Sequence, residues 1–192
     1  MNICVIRHGE TEWNAAHKTQ GREDIPLNQN GRLQAERCGL ALRGKYNNNW
    51  KAIITSPLSR AKQTAEIIAG ILNISDIIED DALMEQDYGE ASGMTRAERE
   101  IKFPDGKWDG MESRESLRNR SFSTFMQSAD KFYPSDIIIV SHYGVINSVL
   151  SEVSNNIIGM GKTHLKNACI NMFTYKDQQL EIVYYNKTCD EL

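Results

Sequence analysis

Three short runs rich in β-branched residues, NICVI (2–6), AIIT (52–55) and DIIIV (136–140), are each bounded by turn signals and separated by stretches with helical spacing. This alternation most constrains the fold, because strands interleaved with amphipathic helices form an α/β architecture around a largely parallel sheet. Between the first two runs, NQNGRLQAERCGLALRG (28–44) puts Ala35, Cys38 and Leu42 on one helical face. After the second run, Ser56-Pro57 reads as an N-cap and first-turn proline. Leu58, Ala61, Ala65, Ile68, Ala69 and Leu72 then trace a core-facing stripe.

A further helix is predicted from about Ser113 to Phe132, with Leu117, Phe122, Phe125 and Ala129 as core contacts. CINMFTY (169–175) and LEIVYY (180–185) predict a closing strand pair with Asp177-Gln178-Gln179 as its turn. Residues 94–120 carry interspersed cations and carboxylates, including Arg96, Arg99, Lys102, Glu98, Glu100 and Glu112, the pattern of a solvated helical insertion. With no repeats or linkers, residues 1–192 are expected to form one domain, with an insertion around 85–120 that sets substrate specificity.

The net charge of −4 argues against a surface built to grip nucleic acid, but leaves room for a local cluster of cations. No apolar run reaches the ~18 residues of a membrane span, and the N-terminus lacks the features of a signal peptide. A cytoplasmic protein, monomeric or homodimeric, is expected. Cys4, Cys38, Cys169 and Cys189 show no metal-finger spacing and are expected as reduced thiols.

Each of the three runs ends in residues that carry chemistry: Arg7-His8-Gly9, Ser56-Pro57-Leu58-Ser59-Arg60 and Ser141-His142-Tyr143-Gly144. In open parallel sheets, ligands bind beyond the carboxyl ends of the strands. If the three strands are parallel neighbours, two arginines and two histidines converge at one edge. Arginine presents a fork of donors that matches phosphate oxygens. Arg60 also falls in the first turn of its helix, where the dipole disfavours a cation and favours a bound anion. A neutral imidazole is a nucleophile, and a phosphoryl group among these cations would have its charge neutralised without a metal. The leaving alkoxide needs a proton, and LMEQDYGEASG (83–93) offers Glu85, Asp87 and Glu90 as donors. His17 and His164 have no comparable setting. The scattered histidines show no metal-binding spacing, so neither a metal nor a cofactor is expected.

With these residues assembled, the sequence resembles the histidine phosphatase superfamily, the phosphoglycerate mutase-like family. RHGETEWN (7–14), DIPLNQNGRLQAE (24–36), SPLSRAKQTAEI (56–67), LMEQDYGEASG (83–93) and SHYGVI (141–146) match its motifs in order. The resemblance implies a three-layer sandwich with a largely parallel central sheet flanked by helices. It makes His8 the nucleophile that becomes phosphohistidine, with Arg7, Arg60 and His142 binding the phosphoryl group. Glu85 becomes the proton donor, since Glu85, Tyr88 and Gly89 fit the family pattern of Glu, aromatic and Gly. Asn14, Gln20, Gly21 and Tyr143 would line the phosphate pocket, although relatives commonly carry a small residue where this chain has Tyr143.

The family implies two fates for a phosphohistidine: attack by water, or return of the phosphoryl group to a reoriented product. The second needs another anion subsite and a closing lid. EQDYGEASGM departs from the mutase pattern, and the cations of 94–120 are diluted by acids. The expectation is therefore a metal-independent phosphatase of the histidine acid type, acting on small phosphomonoesters. The alternatives are a cofactor-dependent phosphoglycerate mutase and a non-catalytic module that binds phosphorylated ligands.

Overall fold

The computed structural model describes residues 1–46 and 49–192. Six strands form one sheet: β1 (Asn2–Arg7), β2 (Trp50–Thr55), β3 (Ile77–Glu79), β4 (Asp136–Ser141), β5 (Ile170–Lys176) and β6 (Gln179–Lys187). Their spatial order is β3-β2-β4-β1-β5-β6. The pairs β2–β3, β2–β4 and β1–β4 are parallel, and β5 and β6 complete the sheet antiparallel. The helices are α1 (Glu12–Ala15), α2 (Gln29–Lys45), α3 (Ser59–Leu72), α4 (Arg96–Lys102), α5 (Arg114–Phe132) and α6 (Tyr143–Val153).

The three-layer arrangement follows from the pleat. Alternate residues of β1 face opposite ways, so Ile3 and Val5 join a core with Leu117 and Phe125 of α5 and Val145 and Val149 of α6. Cys4 and Ile6 join a second core with Cys38 and Leu42 of α2 and Ala61, Ala65 and Ile68 of α3. Both faces of β1 and β4 are thus covered, which is why their sequences read as unbroken apolar runs. Each buried Ile or Val of these runs contributes roughly 1.5–3 kcal/mol relative to exposure.

The start of α3 departs from expectation. Its N-cap is Leu58, which makes no side-chain cap hydrogen bond. Ser56 Oγ is occupied elsewhere, accepting from the Leu58 N–H at 3.3 Å and bonding His142 Nε2 at 2.8 Å. The cap comes from a distant loop: Asp24 Oδ1 accepts from the Ser59 N–H at 2.6 Å, and its Oδ2 from Ser59 Oγ at 2.7 Å. The strand β3 was absent from the sequence reading because its three residues are too short to show a period. The closing hairpin turns at Asp177 and Gln178, both with positive φ, and Gln179 already belongs to β6.

Within 94–120, Thr95 and Glu98 form a capping box that starts the two-turn α4, and Arg96 pairs with Glu100 in solvent. The expectation of solvated, helical mixed charges holds there. It fails at Glu112, whose side chain is only 10% exposed. All four cysteines are free thiols. Among the described residues no helix is long and apolar enough to cross a membrane.

Candidate active site

The parallel register brings the three strand-end motifs to one level. Arg7 of β1 lies opposite Ser141 of β4, and Thr55 of β2 opposite Val140. Beyond those pairs the backbones stay joined: the His8 N–H donates to Ser141 O at 2.9 Å and the Ser56 N–H to Val140 O at 3.1 Å. The rings of His8 and His142 consequently stand 5.2 Å apart. Gly9 is required next: a Cβ there would meet the carbonyl oxygen of Gly31, at the start of α2, at 2.3 Å.

A cavity of about 150 Å³ opens at this edge, lined by Arg7, His8, Asn14, Lys18, Thr19, Gln20, Gly21, Arg60, Glu85, Tyr88 and Tyr143. Every lining residue expected from the sequence is among them except His142, which packs behind His8. Three cations face one carboxylate in this lining, so the cavity is suited to an anion.

His8 is buried, and its Nδ1 lies 2.7 Å from the carbonyl oxygen of Gly9. A carbonyl only accepts, so the proton sits on Nδ1 and the Nε2 lone pair is free. Burial, then the charges of Arg60 and Arg7, hold the imidazole well below its ordinary pKa despite the Gly9 hydrogen bond. His8 is therefore a neutral base at neutral pH. The same causes, burial first and then Arg60, His8 and Arg7, keep His142 neutral. With the Leu58 N–H donating to Ser56 Oγ, the serine's own proton can go to His142 Nε2. In that arrangement the proton of His142 sits on Nδ1.

The arginines are anchored at their tips. Arg60 is fully buried, and donates from Nη1 to Glu23 O at 2.7 Å and from Nη2 to Gly21 O at 2.8 Å. Burial brings its pKa down to about 10, opposed by Glu85 and Asp24, so it stays charged at neutral pH. Arg7 donates from Nη1 to Leu165 O at 2.6 Å. Tyr143 explains its own bulk: its ring lies 5.4 Å from the Arg7 guanidinium, and its hydroxyl donates to Thr163 O at 3.0 Å. It braces Arg7 at the cavity wall. Arg7 Nε, Arg60 Nε and His142 Nδ1 are buried with no protein partner. Buried polar atoms left unpaired each cost about 1–3 kcal/mol, a cost that an acceptor placed at this edge would offset.

Asn14 Oδ1 accepts from the Thr11 N–H at 3.2 Å, Thr11 Oγ1 at 3.1 Å and Asn167 Nδ2 at 3.1 Å. Its amide nitrogen is left to donate. Gln20 Oε1 lies 3.0 Å from Thr11 Oγ1, where it competes with Asn14 Oδ1 for the single hydroxyl proton.

The three acidic candidates of the 83–93 loop separate clearly. Asp87 Oδ1 accepts from the Gly89 N–H at 2.8 Å and shapes the turn, and Glu90 is exposed. Glu85 is buried at the cavity, its carboxylate accepting from the Gly144 N–H at 3.0 and 3.1 Å and from the Gln86 N–H at 2.9 Å. Gly144 lies in the first turn of α6, and a Cβ there would stand 2.4 Å from Glu85 Oε1.

Lys18, Thr19 and Tyr88 were not expected from the sequence as lining residues. Their signal lay in the segment between Asn14 and Gln20 and in the aromatic after Glu85. Lys18 makes no ion pair among the described residues; its ammonium rests 5.8 Å from the Trp13 ring. Also among the described residues, no group of three or more His, Cys, Asp or Glu is placed to hold a metal ion.

Comparison with known proteins meets this geometry. Residues 3–188 match the family described as the histidine phosphatase superfamily (branch 1). The chain is 38% identical over 184 residues to the uncharacterized phosphatase PhoE of Bacillus subtilis (strain 168), covering 96% of this chain and 93% of that one. It is 32% identical to phosphoglycerate mutase-like protein 4 of Arabidopsis thaliana, covering 91% and 80% respectively. Among solved structures, a phosphoserine phosphatase mutant from Entamoeba histolytica in complex with phosphoserine superposes with a TM-score of 0.82 at 27% identity, over 100% of this chain and 98% of that one. The strand-end motifs, their shared cavity and these matches agree: the chain belongs to the histidine phosphatase superfamily, branch 1.

Proposed function

We propose that this chain is a phosphatase that hydrolyses small phosphomonoesters without a metal ion, through a phosphohistidine on His8. One observation carries the reading: three orphaned buried donors, Arg7 Nε, Arg60 Nε and His142 Nδ1, in the site where His8 keeps a free Nε2 lone pair. A phosphoryl group supplies the missing acceptors. Arg7, Arg60, the His142 Nδ1–H and the Asn14 amide neutralise and orient its oxygens.

In the first step the Nε2 lone pair of His8 attacks phosphorus, the P–N bond forms and the P–O bond to the leaving group breaks. Glu85 gives its proton to the departing oxygen. In the second step water attacks phosphorus and passes a proton to the Glu85 carboxylate. The P–N bond breaks, and inorganic phosphate leaves with His8 and Glu85 restored. Charge stabilisation comes from guanidinium groups already fixed by backbone carbonyls, so little reorganisation accompanies either step.

The cavity of about 150 Å³ takes a phosphoryl group and a short tail. Lys18, a lining cation with no ion pair among the described residues, suits a tail that bears a further negative charge. A mutase must hold a second phosphoryl group, and two further cations near the cavity, Arg22 and Arg99, are already committed. Arg22 pairs with Glu112 at 3.7 Å, while Arg99 lies over Trp108 and donates to Thr19 Oγ1 at 2.9 Å. This supports hydrolysis over phosphoryl return. The residue set also supports catalysis over mere binding, since both a nucleophile and an acid are present.

The test incubates purified protein and chelator with 3-phosphoglycerate, with and without 2,3-bisphosphoglycerate, with 4-nitrophenyl phosphate alongside. Free phosphate that persists in chelator, together with an acid-labile phosphoenzyme absent from His8→Ala, is expected. Isomerised phosphoglycerate with little free phosphate would make the chain a mutase. Tight binding of phosphorylated ligands with no turnover would make it a binding module.

A further inference from the structure

The strand-end motifs account for the nucleophile and the phosphate cradle, but nothing regular holds Glu85. It lies in an irregular stretch between a 3-10 turn, Asp81–Leu83, and the next one at Gly89–Ala91. Proton transfer needs its donor placed within a few tenths of an ångström. The structure assigns that task to Arg120 of α5, a residue outside the cavity lining: we propose that Arg120, locked by Glu112, is the positioning residue that sets the acid loop. The proposal rests on the reading of Glu85 as the general acid.

A guanidinium has five N–H donors. In Arg120 each has its own acceptor. Nη1 donates to Ala82 O at 2.7 Å and Met84 O at 2.6 Å, and Nη2 to Glu85 O at 3.1 Å. The remaining two go to Glu112, from Nε at 2.7 Å and from Nη2 at 2.8 Å. The loop turns three carbonyls inward, and one side chain collects them all. A lysine, with three donors on a point charge, cannot replace this fork.

Glu112 completes the grip. Its carboxylate also accepts from Ser116 Oγ at 3.0 Å. Burial pushes its carboxyl up, but the hydrogen bond and charge of Arg120 outweigh that and hold it below the ordinary range. Its backbone brackets the acid on the far side: the Glu112 N–H donates to Asp87 O at 2.9 Å, and Glu112 O accepts from Gln86 Nε2 at 2.8 Å. The Glu112–Arg120 pair is only 10% and 17% exposed, unlike the solvated Arg96–Glu100 pair on α4. The mixed-charge segment thus contributes two of its charges to fixing residues 82–87, with only the Glu85 side chain left to reach the cavity and the start of α6.

The test compares kcat/KM and melting temperature of wild type, Arg120→Met, Arg120→Lys, Glu85→Gln and the double variant Arg120→Met/Glu85→Gln. The substrates are O-phosphoserine, whose alkoxide leaves only with a proton, and 2,4-dinitrophenyl phosphate, whose phenolate needs none. General acids supply ~10²–10⁴-fold, so Arg120→Met is expected to lose at least ~30-fold on phosphoserine and under ~3-fold on the dinitrophenyl ester. Arg120→Lys should behave likewise. The double variant should be no slower on phosphoserine than Glu85→Gln alone, because a misplaced acid and a missing acid are equivalent. Equal losses on both esters, or a lower melting temperature with unchanged selectivity between them, would overturn the proposal and leave Arg120 a structural residue. If Arg120→Met fails to fold, Glu112→Gln decides, since it keeps the carbonyl bonds but weakens the lock. It should give the same selectivity signature in milder form, and its absence overturns the proposal. Should Glu85→Gln itself spare phosphoserine, the acid assignment falls and the role of Arg120 with it. Should only the Arg120 and Glu112 variants spare it, the acid assignment stands alone.

Discussion

Replacing Arg60 with methionine separates what the site does for catalysis from what it does for the fold. The side chain is fully buried and carries its charge with Nε unpaired. Burial is the chief cause that lowers its pKa from the ordinary guanidinium range to about 10, which at about 1.4 kcal/mol per pH unit places ~3 kcal/mol against the charged form. Methionine of similar length removes that term but leaves Glu23 O and Gly21 O without their donors. Hydrogen bonds to a charged group are worth roughly 1.5–3 kcal/mol each, so the net change in stability is small, between about 0 and 3 kcal/mol of loss. Catalysis has no such offset. Losing one preorganised donor to the phosphoryl group raises the barrier by ~2–4 kcal/mol, about 30- to 1000-fold in kcat/KM. The loss should be the same for alkyl and aryl esters, since the charge sits on the transferred group. Urea unfolding and steady-state kinetics on one preparation measure both quantities, and thermal shift with vanadate adds a third. Arg60→Met should keep most of its stability, lose its activity and lose the vanadate shift. Activity within ~3-fold of wild type would refute the reasoning, because it would place Arg60 outside the phosphoryl site.

Gly144→Ala should reproduce the loss of the acid: its Cβ would meet Glu85 Oε1 at 2.4 Å, so turnover of alkyl esters should drop while stability, helped by up to ~1 kcal/mol of helix propensity, should not. A leaving-group series checks it, and wild-type selectivity would count against the Glu85 assignment. His8 and His142 have folded pKa values below the unfolded ~6.5, so the unfolded chain binds more protons and stability is full above that pH and falls beneath it. Each contributes at most about 1.4 kcal/mol per pH unit. Melting between pH 7 and 5 should be less pH-sensitive in His142→Gln than in wild type, and identical slopes would show the ring is not buried neutral. Lys18→Gln should raise KM for phosphoserine by about 2- to 5-fold, the scale of one partly exposed charge pair, and leave 4-nitrophenyl phosphate unchanged. Equal effects on both would assign Lys18 to the phosphoryl group instead.

Much of this architecture is local physics, which is why it can be read from the chain. NICVI, AIIT and DIIIV are legible as strands because β-branching and burial act residue by residue, and the α3 stripe because its period is that of a helix. Where a local signal had two possible partners, the reading failed. Ser56 has the chemistry of an N-cap, but its hydroxyl is taken by His142, which lies 86 residues away, and Asp24 caps α3 in its place. Glu112 and Arg120 sit among solvated charges of identical type, and no spacing marks them as the buried pair.

By itself, the sequence determined that three strands would end in Arg7-His8, Ser56 through Arg60 and Ser141-His142, residue types suited to an anion. The tertiary structure decided the rest. Placing β4 between β2 and β1, in matched register, brought those ends into one cavity. It fixed the ring proton of His8 on Nδ1 through the Gly9 carbonyl, set Ser56 Oγ against His142 Nε2, and left Arg7 Nε, Arg60 Nε and His142 Nδ1 without protein partners. It separated Glu85 from Asp87 and Glu90 by setting one carboxylate against the start of α6, turning one into a backbone cap and leaving one in water. Propensity and periodicity depend on neighbours in the chain, whereas protonation, desolvation and hydrogen-bond satisfaction depend on neighbours in space, and those exist only once the sheet has its order and register.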